Sequence, residues 1–226
     1  MPGPLRQSKH FYLSVEGETE KWYFEHLRSL INASEKAQYK LTMKCDVEKE
    51  PLAMAKRLVI PKRTTIDVWH VFDFESESEQ HRQNFQEALR QIREANRLDK
   101  KLRYHSAYSN FTFDLWMILH RQNVIHCGHR REYIRQINSA FGTNYQRMDD
   151  YKKEANFKAI LSEIGLVDVA HAVERAKTMN KETNQRGART AEHCGCIYRL
   201  DNPYTELHVP IENMLRETLV LPEVTK

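Results

Sequence analysis

A short apolar segment that ends in acidic residues constrains the fold of this chain more than any other feature. Residues 11–15 are rich in aromatic and β-branched side chains and are too few for a helix, so they predict a buried strand. Glu16 and Gly17 follow, and then a helical pattern begins in which Glu20 lies one turn before Phe24 on the apolar face. Glu16 therefore stands at the carboxyl end of a strand, where open α/β sheets bind their ligands.

Strand and helix patterns alternate through the first half of the chain. Further strands are predicted at residues 39–47, 66–72 and 102–108, and the strict alternation in the first of these is typical of a strand near a sheet edge. The second half is mostly helical in pattern, and its polar, glycine-containing residues 180–200 predict a loop. We therefore predict an α/β fold with a mainly parallel sheet of about four strands, flanked by helices.

The length of 226 residues suits one domain with a sizeable appendage. We expect an α/β core at residues 1–120 and a helical extension at residues 121–226, packed on the core as one compact unit. The apolar surface of that extension favours a homodimer. The first ten residues contain no apolar signal core and no later run approaches a membrane span, so we expect a cytoplasmic protein without a membrane partner.

The charge of the chain leaves the question of its partner open. The net charge of +4 is modest for a protein of this size. Lys and Arg outnumber Asp and Glu between Arg121 and Arg189. This excess is equally consistent with a solvated surface and with a surface that faces phosphate groups.

Asp73 and Glu75 close the third predicted strand as Glu16 closes the first. Residues two apart in an extended segment point the same way, so both acids can share a crevice with Glu16 and Glu20. Carboxylates gathered in this way repel one another, and a hard divalent cation removes that repulsion. The alternative interpretation makes five of the acids in this region surface acids, which are favourable near helix N-termini: Glu18, Glu20, Glu75, Glu77 and Glu79.

Two short segments have similar cysteine and histidine spacing. Cys127 with His129, and Cys194 with Cys196, offer two half-sites for a tetrahedral zinc ion. A single residue separates the ligands in each half-site, which is tighter than the usual zinc-binding knuckle. Two interpretations stay open: a structural zinc ion that clips a long loop, and unrelated thiols.

Three stretches together resemble one protein family. They are VEGETE at residues 15–20, SNFTFDLWMILH at residues 109–120, and NPYT at residues 202–205 with His208 beyond. The first stretch, followed by the acids at 73 and 75, is similar to the Toprim domain of topoisomerases, primases and OLD-type nucleases. All three together more closely resemble the RloB family of bacterial phage-defence proteins, and the resemblance covers about residues 10–219.

The resemblance implies a Toprim-like fold in which carboxylates bind Mg²⁺ or Mn²⁺. Glu16 matches the family's catalytic glutamate and Glu20 its second acid. Asp73 and Glu75 match an Asp-x-Asp pair whose second member is Glu in this chain. Asp114 stands where the family usually has glutamate, and it is either a further metal ligand or an acid that stabilises the N-terminus of a helix.

The resemblance also implies an activity. The implied activity is that of a metal-dependent endonuclease that cleaves RNA, including tRNA, or DNA. The resemblance implies that such an enzyme is the effector of an abortive-infection system against phage and acts with a companion AAA- or ABC-type ATPase. Lys152 is our candidate for a catalytic cation near the developing charge, and a generic surface lysine is the alternative. We expect Asn110, Arg130, Arg131 and Lys153 to contact the nucleic acid. The competing hypothesis is a non-catalytic Toprim-like module that acts as a sensor or scaffold partner of an ATPase.

Overall fold

The computed structural model describes residues 6–60 and 64–220, and these form an α/β fold. The strands are β1 Ser8–Val15, β2 Lys40–Val47, β3 Ile66–Asp73, β4 Leu102–Asn110, β5 Thr190–His193, β6 Cys196–Arg199 and β7 Tyr204–Thr205. The helices are α1 Glu18–Ala33, α2 Pro51–Arg57, α3 Glu79–Ala95, α4 Asp114–Leu119, α5 Tyr133–Phe141, α6 Met148–Tyr151, α7 Glu154–Ser162, α8 Leu166–Gln185 and α9 His208–Glu217. Within these ranges, no helix is both long and apolar enough to cross a bilayer.

Five strands form one mixed sheet in the order β2-β1-β3-β4-β7. β2, β1, β3 and β4 run parallel, and β7 adds to the far edge in the antiparallel direction. The register pairs Val15 with Val71, so the carboxyl ends of β1 and β3 lie side by side. The predicted α/β class is confirmed, and β2 lies at a sheet edge as predicted. The sheet itself is mixed and contains a fifth strand that the sequence pattern does not predict.

Helices cover the sheet and supply much of the core. α3 packs on the sheet through Phe85, whose ring stacks on Phe72 of β3 with the centroids 4.9 Å apart. α1 buries Phe24, Leu27 and Ile31, which recur at helical spacing along one face. Every residue of α4 is buried, and this helix contacts α5 and α8 of the second half. The second half thus packs directly on the first, while the boundary at residue 120 stays a prediction.

Two segments of the second half differ from their predictions. The loop predicted at residues 180–200 is wrong, because α8 extends into it and β5 and β6 then form a hairpin. Gly195 in the hairpin turn has a φ of 78°, a conformation that glycine adopts without a steric penalty. β7 is a strand that the sequence pattern does not predict, and the Asn180 side chain of α8 holds it by donating to the Thr205 carbonyl (2.7 Å) and accepting from its N–H (3.2 Å). This contact joins two residues that are distant in the sequence, so no local sequence pattern predicts it.

Candidate functional site

Two acids meet where β1 and β3 end. Glu16 follows directly after β1, and Asp73 is the last residue of β3. Because the two strands are adjacent and parallel, their carboxyl ends lie at the same edge of the sheet. The Asp73 N–H donates to Glu16 Oε2 at 3.3 Å. The structure therefore brings together two acids that lie more than fifty positions apart in the sequence.

Glu20 joins this pair from the first turn of α1. Its side chain is 7% exposed, and Glu20 Oε2 accepts a hydrogen bond from Thr19 Oγ1 at 3.0 Å. A Cβ atom on Gly17 would lie 2.8 Å from Glu20 Oε2, which is closer than real Cβ contacts come. The backbone of Gly17 is extended, with a φ of −147°, so any residue can adopt its conformation. Gly17 therefore leaves space that the Glu20 carboxylate occupies.

Asp114 and Lys152 add an ion pair to the same cluster. Asp114 lies in the first turn of α4 and is 1% exposed. Its Oδ2 accepts from Thr112 Oγ1 (2.8 Å) and lies 3.1 Å from Lys152 Nζ. Among the described residues, Asp114 Oδ1 is buried without a hydrogen-bond partner. The second half of the chain thus supplies a cation to acids of the first half.

Burial and mutual repulsion set the electrostatics of this cluster. Burial, assisted by the charge of Glu20, raises the pKa of Glu16 to about 7, although the hydrogen bond from Asp73 acts in the opposite direction. Burial also raises the pKa of Glu20, and burial together with Glu20 and Glu16 raises the pKa of Asp73 well above its ordinary value. Burial lowers the pKa of Lys152, but the charges of Asp114, Asp73 and Glu20 outweigh it and raise that pKa overall. Lys152 therefore stays charged and partly neutralises the acids.

The four acids and Lys152 line one cavity of about 680 Å³. Several of its other lining residues were not singled out in the sequence: Thr19, Lys49, Thr112, Gln146, Arg147 and Asp149. Thr19 and Thr112 lie inside the stretches at residues 15–20 and 109–120 that carry the family resemblance, which was a usable signal. Lys49, Gln146, Arg147 and Asp149 come from turns and one short helix that have no hydrophobic periodicity. No local sequence pattern therefore predicts their position in the cavity.

Glu75 lines the same cavity but differs from its prediction. The extended geometry expected for residues 73–75 is wrong, because β3 ends at Asp73 and Glu75 has a φ of 59°. The Glu75 carboxylate is bound by Arg130 (2.8 Å) and by His81 Nε2 (2.9 Å). Arg130 and Arg131 also line the cavity, and their contact with nucleic acid stays a prediction. Glu75 thus holds a rim arginine instead of pointing with Asp73.

Two of the expected nucleic-acid contacts lie elsewhere. Asn110 is fully buried, and its Nδ2 donates to the carbonyls of Arg199, Leu200 and Asp201, with the shortest bond at 2.8 Å. Lys153 is exposed and forms an ion pair with Asp150 at 2.8 Å. Neither lines the acidic cavity. Asn110 instead fixes the segment that leads into β7.

The structure does not bring the two cysteine segments together. Cys127 is buried, accepts from Gln136 Nε2 at 3.0 Å and lines one cavity, whereas Cys194 and Cys196 line a different one. His129 Nδ1 accepts from the N–H of Arg131 at 3.1 Å. In residues 6–60 and 64–220, no three His, Cys, Asp or Glu side chains stand close enough to share one metal ion. The zinc hypothesis stays a prediction without geometric support.

The donors of the acidic cluster are of the kind that a hard divalent cation prefers, although no three of them stand close enough to share one ion in the part of the chain that the structure describes. Glu16, Glu20, Asp73 and Asp114 offer only oxygen ligands, which Mg²⁺ and Mn²⁺ prefer. Burial first, and neighbouring acids second, raise the pKa values of Glu16, Glu20 and Asp73, so a bound cation would stabilise their charged forms. Lys152 is the cation with which a metal ion would share this cluster.

Comparison with known proteins identifies the family of this chain. No curated protein and no solved structure matches the sequence. The model of the RloB-like protein family matches residues 11–214, a range that includes the four clustered acids and Lys152. This chain therefore belongs to the RloB-like protein family.

Proposed function

We propose that this chain is a divalent-metal-dependent endonuclease of the Toprim type, which cleaves phosphodiester bonds in RNA or DNA. The observation that carries the proposal is the meeting of Glu16 and Asp73 at the ends of adjacent parallel strands. Glu20 and Asp114 line the same cavity, so four acids face one space. The family resemblance supports a role as an effector of anti-phage abortive infection.

The acids of the cluster supply the metal site in this proposal. Glu16, Glu20, Asp73 and Asp114 would hold Mg²⁺ or Mn²⁺ once their side chains move together, because among the described residues no three of them are close enough to share one ion. When bound, such an ion neutralises charge on a scissile phosphate and lowers the pKa of a coordinated water. Glu16 Oε2 is fixed by the Asp73 N–H, which leaves Oε1 to accept a proton from the attacking hydroxyl group.

The cations of the cavity act on the substrate. Lys152 retains its proton and can place its ammonium group against the negative charge that develops on the phosphate. Arg130 and Arg131 at the rim can hold neighbouring phosphates of the strand. Because Glu75 binds Arg130, a substrate phosphate has to compete with a carboxylate for that guanidinium group. This competition predicts weak binding of isolated phosphates and tighter binding of longer strands.

A second candidate function is a non-catalytic module that senses or scaffolds. The Lys152–Asp114 ion pair favours it, because an internal ammonium group already neutralises part of the acidic cluster. In that case the acids and Lys152 form a structural network, and added metal ions change nothing. Under either function the partners we propose are a companion ATPase and a second copy of the chain, and only the nuclease requires nucleic acid.

A cleavage assay separates the two functions. The full chain is incubated with Mg²⁺ or Mn²⁺ and a panel of tRNA, single-stranded RNA and plasmid DNA, with and without the companion ATPase. Glu16→Gln is expected to lower the cleavage rate by about 10²- to 10⁴-fold, the contribution typical of a positioned general base. Glu18→Gln, an exposed acid in the same turn, is the matched control and should retain the rate. Unchanged cleavage by Glu16→Gln would contradict the assignment, and no cleavage of any substrate under either condition favours the scaffold.

A further inference from the structure

A second cavity, of about 1010 Å³, lies along the open edge of β4. Its walls come from α3, α8, the β5–β6 hairpin and the segment around β7. β7 pairs with Ser109 and Asn110, and within residues 6–60 and 64–220 no strand pairs with the earlier part of β4 on this side. None of the residues that line this cavity also lines the acidic one.

The main chain of β4 alternates between its neighbour and this cavity. The Ser109 carbonyl accepts from the N–H of Phe74, so the main-chain N–H and carbonyl groups of the odd-numbered residues of β4 point toward β3. Those of the even-numbered residues point away from β3, toward the cavity. Tyr104 shows this directly, because its N–H and carbonyl exchange two hydrogen bonds with the side chain of Asn96, at 2.6 and 2.8 Å.

Ser106 lies between two edge positions whose outward carbonyls are already bonded. The Asn96 side chain occupies the edge at Tyr104, and the Glu206 N–H donates to the Tyr108 carbonyl at 2.9 Å. By the same alternation, the N–H and carbonyl of Ser106 face the cavity. Within the part of the chain that the structure describes, no hydrogen bond satisfies either group. The cavity therefore presents one donor and one acceptor side by side.

The N–H and carbonyl of one residue are too few hydrogen-bonding groups to bind an added strand. Peptides that extend a sheet bond to several alternate residues of its edge. Here the positions before and after Ser106 are blocked by Asn96 and Glu206. One main-chain pair in a cavity of this size suits a small ligand with an adjacent donor and acceptor.

The surroundings of Ser106 suit a planar ring with amino groups. Trp69 and His105 form a stacked pair in the cavity wall, with centroids 4.5 Å apart. Glu206 Oε2 accepts from Ser106 Oγ at 3.1 Å, which places a carboxylate beside the free main-chain groups. A heterocyclic base offers a flat face for stacking and hydrogen-bonding groups on its edge.

Two cations give the cavity a place for phosphate. Arg93 of α3 and Lys181 of α8 are exposed and line the cavity from two sides. Neither forms an ion pair among the described residues, whereas Lys177 nearby is bound to Glu174 and Glu212. Unpaired cations beside an aromatic wall complement an anionic, ring-containing ligand.

We propose that this cavity binds a single nucleotide. The edge of its base bonds to the main chain of Ser106, and its phosphate lies at Arg93 and Lys181. The site is separate from the acidic cavity, so the proposal does not depend on the nuclease. A nucleotide bound there contacts both halves of the chain, because β4 belongs to the first half and α8 to the second.

Titration calorimetry on the full chain tests this proposal. The probes are the four nucleoside 5′-monophosphates, the matching nucleosides and inorganic phosphate, all in EDTA so that no metal-bound phosphate enters the acidic cavity. At least one monophosphate is expected to bind more tightly than its nucleoside and than phosphate. Ser106→Pro removes the N–H that faces the cavity. It should weaken the binding of that monophosphate about tenfold, which corresponds to the loss of one hydrogen bond. Ser106→Ala keeps the N–H and should bind within about threefold of the parent chain.

A second variant keeps the proposal falsifiable if Ser106→Pro does not fold. The double variant Arg93→Glu, Lys181→Glu changes two exposed side chains and should lose the preference for the monophosphate over the nucleoside. The proposal is overturned if no monophosphate binds, if phosphate alone binds as tightly, or if the double variant keeps the preference. It is also overturned if the matched Glu16→Gln variant loses monophosphate binding, since that result would put the ligand in the acidic cavity.

Discussion

The two cavities of this protein are built from different groups. The acidic cavity gathers charged side chains at the ends of β1 and β3, and a lysine of the second half partly neutralises them. The β4-edge cavity presents main-chain groups of one residue beside aromatic rings and two unpaired cations. The acidic cavity is defined by the types of its side chains, whereas the β4-edge cavity is defined by the position of its main chain. This difference determines which ligands each cavity can bind and whether the amino-acid sequence predicts the cavity.

The largest expected effect concerns the internal cation of the acidic cavity. Lys152→Met leaves the Asp114 carboxylate, whose side chain is 2% exposed, without its counterion. We expect a loss of about 2 kcal/mol in the free energy of unfolding, which is less than the usual cost of a broken buried ion pair because the Lys152 side chain is 36% exposed. Lys153→Met removes an exposed pair and should cost less than about 1 kcal/mol. Urea denaturation measures both, and equal losses would mean that the acidic cluster is not a buried charge network.

A smaller effect concerns the space that Gly17 leaves for Glu20. The new Cβ of Gly17→Ala would lie 2.8 Å from Glu20 Oε2, so the carboxylate has to move. The stability should change by less than about 1 kcal/mol, because the backbone there is extended and the end of a side chain can shift. Mn²⁺ binding should weaken about tenfold, as expected for a displaced ligand. Unchanged Mn²⁺ affinity, with Gly142→Ala as a glycine control remote from the cavity, would remove Glu20 from the ligand set.

The smallest effect is a pH dependence at the β4-edge cavity. Burial raises the pKa of Glu206 to about 7. Between the ordinary carboxyl pKa and about 7, the folded chain keeps a proton that the unfolded chain has released, so this group lowers the free energy of unfolding as the pH rises. Glu206→Gln should reduce the loss of stability between about pH 6 and pH 7 by about 1 kcal/mol. Urea denaturation at both pH values checks this, and a variant with the pH profile of the parent chain would contradict it.

The sequence predicts the acidic cavity because each acid follows a short apolar pattern that can be recognised locally. The strand that ends at Glu16 and the strand that ends at Asp73 each have a clear apolar pattern. Parallel strands bring their carboxyl ends together, so two local patterns are enough to predict that the acids meet. The prediction for Glu75 is wrong because it assumed an extended chain beyond Asp73, and a φ of 59° at Glu75 ends that geometry.

The β4-edge cavity has no comparable signal in the sequence. The free N–H and carbonyl of Ser106 exist only because Asn96 and Glu206 cover the positions on either side. Glu206 is 100 residues from Ser106 in the chain, and it reaches the edge through β7. A strand of two residues is too short to carry a hydrophobic pattern, so β7 cannot be predicted from periodicity. Main-chain sites of this kind need the tertiary structure.

The most direct test of this account is a Mn²⁺ titration of the full chain by calorimetry. The central claim is that acids from two strand ends form one cation site, so the parent chain should bind Mn²⁺ at that site. Glu16→Gln and Asp73→Asn should each weaken the binding by about 100-fold, whereas the exposed control Glu18→Gln should bind as the parent does. Equal Mn²⁺ affinity in the parent chain and in both strand-end variants would contradict the claim.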